Sequence, residues 1–241
     1  MFKPGSNLAA VLLLAAAGTL QAAEAPKDRE NAAAVLARYI EGSARADWAV
    51  ESMDVDASVP KLAEGARLQA IRRLLPSHQM KYEVLQLTGD RTVKEQVIAR
   101  YLKAEQQAAG IPAATVAVTP ANYKFARKAV ARNANRLTYV FQMTPRKKRE
   151  GLIKGELWLD GETAAPLLFS GRLVKSPSVF IKSVAVTRES MLRDGAVEAR
   201  RTHVTAVMRL IGRVELVIEE RPLDGTEITQ VTIAGNGGGQ Q

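Results

Sequence analysis

The chain has 241 residues, 46% of them hydrophobic and 24% charged, and its formal net charge is +9. That is enough apolar material for one sizeable core, and the length favours a single domain. Cysteine is absent, which excludes disulfides, thiolate zinc sites and acylation at a lipobox cysteine. The basic balance favours anionic partners and is silent about fold.

At the start of the chain, Lys3 precedes an uncharged apolar run, LAAVLLLAAAGTL (8–20), followed by QAAEA. This is the three-part pattern of a secretory signal peptide. The run is shorter than the roughly 20 residues that span a bilayer. Residues 1–25 are therefore expected to be a signal peptide, cleaved after Ala23 or Ala25. The mature chain is then periplasmic or secreted. Export disfavours nucleic acid and leaves anionic phospholipid, lipopolysaccharide or peptidoglycan as anionic partners.

Residues 26–46 read as a helix capped by Asp28, with Val35, Leu36, Tyr39 and Ile40 on one face and Gly42 at its end. WAVESMDVDA (48–57) alternates as a strand does. LAEGARLQAIRRLLP, within 61–76, reads as a second short amphipathic helix stopped by Pro76. MKYEVLQLTGD (80–90) is a strand closing in a turn. TVKEQVIARYLKAEQQAAG (92–110) is a helix, with Thr92 as cap, Glu95 at the capping-box position, and Gly110 and Pro112 beyond its end.

From Ala114 the pattern is nearly all strand: ATVAVTP, NYKFARKAVA, RLTYVFQMTP, GLIKGELWLD, PLLFSGRLV, SVFIKSVAVTRES, AVEARRTHVTAVMRL, RVELVIEERP and ITQVTIAG. The short separators carry turn chemistry and imply antiparallel neighbours. The class is thus α+β, mostly antiparallel β. The tail from 235 to 241 is expected to be disordered.

Alternation gives the meander one apolar face. Tyr139, Phe141 and Met143 point one way, as do Leu157 and Leu159, and as do Val214, Leu216 and Ile218. Leu167 and Phe169 extend the set. The helices near 28–41 and 92–108 are the available covers. Incomplete cover would leave an apolar cleft, which these ten residues would line.

Other features carry less. Arg146, Lys147, Lys148 and Arg149 form a basic cluster between two strands. It reads first as a hairpin tip and second as a contact for anionic lipid headgroups; interleaved aromatics and a nucleic-acid module are missing. Asp54 and Asp56 share a strand face, and His78 and His203 are the only histidines. No HExxH spacing, GxSxG elbow, GxGxxG or P-loop occurs. No catalytic residue, cofactor or metal site is expected; a cell-envelope hydrolase using Asp54, Asp56 or His203 is the weakest alternative. Trp48 and Trp158 read as sheet packing or cleft rim.

The block YVFQMTPRKKREGLIKGELWLDGETAAPLLFSGRLVKSPSVFIKSVAV resembles the bacterial outer-membrane lipoprotein-sorting (LolA/LolB-like) superfamily and its periplasmic relatives. The similar features are a strand ending at Thr144-Pro145, a basic loop, a strand closing in Leu157-Trp158-Leu159-Asp160, then Pro166, an apolar strand and the Gly171-Arg172 step. The resemblance spans roughly residues 120–220. It implies an unclosed half β-barrel wrapped round short helices, here over 26–234 with a helical insertion near 92–110. It also implies an apolar cavity that receives lipid or lipoprotein acyl chains. The chain is expected to be a monomer. The alternative is an envelope signalling or structural module whose cleft takes a protein segment.

Overall fold

The computed structural model describes residues 26–43, 48–75, 77, 79–133 and 136–224. The signal peptide, His78, the run ITQVTIAG and the tail lie outside the described residues. Helix α1 (Pro26–Ser43) comes first, then strands β1 (Val50–Val59), β2 (Glu64–Leu74) and β3 (Met80–Gly89). Next are α2 (Arg91–Val93), a π-helical segment (Lys94–Ile98), α3 (Ala99–Ala109) and α4 (Ala113–Val116). Seven strands follow among the described residues: β4 (Tyr123–Asn133), β5 (Arg136–Pro145), β6 (Ile153–Asp160), β7 (Pro166–Leu173), β8 (Ile181–Arg193), β9 (Ala196–Met208) and β10 (Gly212–Pro222).

All ten strands form one antiparallel sheet in the order β3-β2-β1-β10-β9-β8-β7-β6-β5-β4. Its edges, β3 and β4, do not meet, so the barrel is unclosed. The chain passes from one edge to the other through α2, the π segment, α3 and α4. No helix among the described residues is long and apolar enough to cross a membrane.

Two cores lie on the sheet's inner face. One packs Met53, Val55, Leu68, Val214, Leu216 and Ile218 under Val93, Val97 and Ile98. The other packs Tyr139, Phe141, Met143, Leu157 and Leu159 with Ala32 and Val35 of α1. Each helical cover therefore closes one half of the sheet. Gly155 of β6 faces Gly171 of β7, and an added Cβ on Gly155 would fall 1.8 Å from Ser170 O. Only glycine allows so close an approach of two backbones.

Three local readings are corrected. LAEGARLQAIRRLLP is largely strand β2, not helix. Its Ala, Leu and Arg content favours helix locally, but Ala66, Leu68 and Ala70 also fit a period of two and face the first core; tertiary burial overrides propensity. ATVAVTP is not a strand: α4 and a turn replace it. There Asn122 Nδ2 donates to the carbonyls of Ala114 and Ala117, both at 2.9 Å, which fixes a compact loop. The cap of the 91–109 helical stretch is Asp90, not Thr92: its carboxylate accepts from Val93 N at 2.8 Å. Glu95 pairs with Arg91 at 2.8 Å rather than reaching back to the cap.

Candidate functional site

A cavity of about 400 Å³ lies between α1 and the inner face of the sheet. Leu157, Phe169, Val118 and Ala164 supply apolar surface. Arg38, Tyr39, Thr163, Ser190, Arg188 and Arg200 supply polar groups. The lining is therefore mixed, with apolar side chains meeting several polar groups, three of them arginines.

The strands set the order of these groups. Register places Leu157 opposite Phe169, and Phe169 opposite Arg188. Arg188 lies opposite Thr202, and its Nε donates to Thr202 Oγ1 at 3.0 Å. The floor thus runs from aliphatic to aromatic to cationic over three strands. The Arg200 guanidinium sits 4.1 Å from the ring centre of Trp48, so Trp48 braces one cationic wall. Arg38 donates to Glu162 O at 2.7 Å and Gly161 O at 3.0 Å, tying α1 to the β6–β7 turn.

That turn is organised by Asp160. Its Oδ1 accepts from Glu162 N at 3.0 Å, Thr163 N at 2.8 Å and Thr163 Oγ1 at 3.0 Å. Burial pushes the Asp160 carboxyl up, but these donors and the Arg136 charge together hold it below its ordinary value. Tyr39 is pushed up to about 12 by burial, against the pull of Arg188 and Arg200. It therefore stays a neutral phenol beside two cations. No carboxylate among the described residues pairs with Arg188.

The ten residues read from alternation divide among three settings. Tyr139, Phe141, Met143, Leu157 and Leu159 are buried in the α1-covered core, and Leu157 also reaches the cavity. Phe169 packs against that core and lines the cavity. Leu167 is half-buried beside the register shift between Trp158 and Leu159. Val214, Leu216 and Ile218 belong to the other core, beneath the π segment.

The arginines of the cavity were not among the residues singled out from sequence. The signal was available: in β8, Arg188 continues the inward set of Val184 and Val186, and a charge on an apolar face is the anomaly to notice.

The basic cluster is a loop with two anchored members. Arg146 Nε donates to Pro120 O at 2.7 Å, and Arg149 reaches Asn122 Oδ1 at 3.4 Å. Lys147 and Lys148 are exposed. Asp54 accepts from Gln69 at 2.9 Å and Arg67 at 3.3 Å, and Asp56 lies 3.7 Å from Arg67. His203 is exposed on β9, opposite Val217 and Thr187. The structure does not bring His203 together with Asp54 or Asp56 in the cavity. Trp158 donates to Glu156 at 3.1 Å. No group of three or more metal-ligating side chains occurs among the described residues.

The class defined by this arrangement is an unclosed antiparallel half-barrel with helical covers and a cavity beneath one of them. No family model and no curated protein matches the sequence. Among solved structures the chain is similar to a DUF1329 family protein from Desulfovibrio piger, at 10% identity and a TM-score of 0.41, over 82% of this chain and 93% of that one. It is similar to a putative outer membrane lipoprotein-sorting protein domain from Vibrio parahaemolyticus, at 12% identity and a TM-score of 0.39, over 84% and 98%. A LolA superfamily protein from Nitrosomonas europaea matches at 10% identity and a TM-score of 0.34, over 80% and 94%. These are similarities of chain path alone.

Proposed function

We propose that this protein is an exported, non-enzymatic binding protein whose half-barrel cavity takes an acyl-chain amphiphile. The observation that carries the reading is the cavity's floor, which passes from Leu157 through Phe169 to Arg188. The apolar end favours a hydrocarbon chain, at about 25 cal/mol per Å² removed from water. The cationic end favours a carboxylate or phosphate, which guanidinium groups bind with charge-assisted hydrogen bonds. An anionic lipid has both ends of this chemistry, whereas the ester- or amide-linked acyl chains of a lipoprotein supply the apolar one.

The test is native mass spectrometry of protein purified without detergent, with a fluorescent fatty acid as added probe. Bound lipid, or saturable probe binding lost in Ser190→Phe, supports the reading. Ser190 lines the cavity, and the larger side chain fills it. Absence of both lipid and probe binding overturns it, and a bound peptide in place of lipid makes the cavity a seat for a protein segment.

A further inference from the structure

We propose that one rim of the half-barrel is a docking surface for an anionic lipid bilayer. This does not rest on the cavity reading. Strand register places several connections at the same end of the sheet. They are the β1–β2 turn at Pro60–Leu62, the β5–β6 basic loop, the β7–β8 loop and the β9–β10 hairpin.

Large exposed apolar side chains gather there. Among the described residues, Leu210 is 81% exposed, Val179 77% and Phe180 52%, and Leu62 at the adjoining turn is exposed as well. The others of this kind, such as Val130 and Met191, lie within strands. A cluster of exposed apolar groups on one surface marks an interaction site, whereas scattered ones are ordinary.

The tip is built, not slack. Arg209 N donates to Phe180 O at 2.9 Å, and Arg209 Nε donates to Val179 O at 2.7 Å. Phe180 N is satisfied by Ser178 Oγ at 3.2 Å. The β7–β8 loop is thereby stapled to the β9–β10 hairpin. The carbonyls of Val179 and Phe180 and the Phe180 N–H are occupied, while the two apolar side chains are exposed.

The charge around the tip has one prevailing sign. Lys61, Lys175, Lys182 and Arg209 are exposed beside it, and Lys147 and Lys148 extend the surface along the rim. Glu215 is engaged by Arg213 at 2.6 Å; Glu64 and Glu150 are the exposed acids nearest in sequence. Apolar tips ringed by lysine and arginine suit the boundary between acyl chains and anionic headgroups. A protein partner would need a matching relief for these separate tips, while a bilayer accepts them at a common depth.

The experiment is cosedimentation of the mature chain, from residue 26 onward, with vesicles of phosphatidylcholine, with and without phosphatidylglycerol. The wild type is expected to bind the phosphatidylglycerol vesicles, less so as salt rises. Phe180→Ser with Leu210→Ser should lower the partition coefficient by about tenfold or more. Lys147→Gln with Lys148→Gln should lower it about fivefold per charge and flatten the salt dependence. Met191→Ser, away from the rim, should leave it unchanged. All of these side chains are exposed, so the melting temperature should hold and report intact folding. The proposal is overturned if the wild type ignores phosphatidylglycerol vesicles, or if Phe180→Ser with Leu210→Ser binds as well as wild type. It is also overturned if the rim instead joins two copies, seen as a dimer that Leu210→Ser dissociates.

Discussion

Arg72 and Glu220 lie 148 residues apart in the chain and meet at 2.7 Å beneath α3. Arg72 also contacts Glu51, and reaches both Glu105 oxygens at 3.1 Å. Tyr82 donates to Glu105 at 2.8 Å. One arginine thus joins β2, β1, β10 and α3. Burial opposes its charge, but Glu105, Glu220 and Glu51 outweigh that and hold its guanidinium still further above its usual value.

Arg72→Met should therefore destabilise the fold by about 3–5 kcal/mol, because it leaves buried carboxylates without their counter-charge. Glu220 is only 1% exposed, so water cannot replace the arginine there. Urea unfolding, with midpoint and slope both recorded, checks the loss. Converting Glu51 and Glu220 to Gln in the same chain should recover part of it.

Glu51 should give the fold an acid-side stability increment. Burial, with the nearby Glu220 charge, raises its carboxyl above the ordinary 4.5, although Arg72 pulls the other way. The native state then holds a proton that the unfolded state has lost. Its contribution is fully present below 4.5 and disappears as pH rises through the raised native value. Glu51→Gln should remove that part of the pH dependence in thermal melts; an unchanged profile assigns it elsewhere.

Asp160 should act with the opposite sign. Its native carboxyl is held below the ordinary 3.8, so its contribution is present above 3.8 and is lost as pH falls through the lower native value. Asp160→Asn should cost about 1.5–3 kcal/mol at neutral pH, the range for a hydrogen bond to a charged group. Below the native value the variant and wild type should converge. Because Asp160 shapes the turn that carries Thr163 and Ala164, cavity binding should weaken with it.

Gly155→Ala should separate β6 from β7. The new Cβ would lie 1.8 Å from Ser170 O and 2.5 Å from Gly171 Cα. Both are backbone atoms that no rotamer change can move. Overpacking of this kind costs about 1–3 kcal/mol or more. Gly42→Ala, with nothing within 4 Å of the added carbon, is the control, and differential scanning calorimetry on the two variants distinguishes a steric cause from a general glycine effect.

The sheet was legible because burial on one face writes a period of two into each strand. Tyr139, Phe141 and Met143 show it, and all three are buried on the inner face. The two helical covers were legible from their own stripes. Strand β2 was not, since ARLQAIRRL satisfies a helical stripe and an alternating one equally. Only its pairing with β1 decides between them. The division of the apolar face into two cores, and the cavity at one of them, depends on where α1 comes to rest. Those are distances between elements, which no single segment encodes. The Arg72 cluster was hidden for the same reason: its members come from four elements, and each alone reads as a surface charge.

The pairing of β1 with β10 also governs when the molecule can finish folding. Strands β4 to β9 can zip together in the order they are synthesised, each hairpin closing a short loop. Strands β1 to β3 can do likewise. The seam between the two groups waits for β10, the last of the described strands, with Met53 opposite Glu220 and Val55 opposite Ile218. Such a late, sequence-distant contact has a high closure entropy and slows folding. Until Gly212–Pro222 arrives, β1 and β9 each present an open edge to other chains. Strand β10 thus acts as the clasp, and the interval before it closes is when these edges are most open to pairing with other chains.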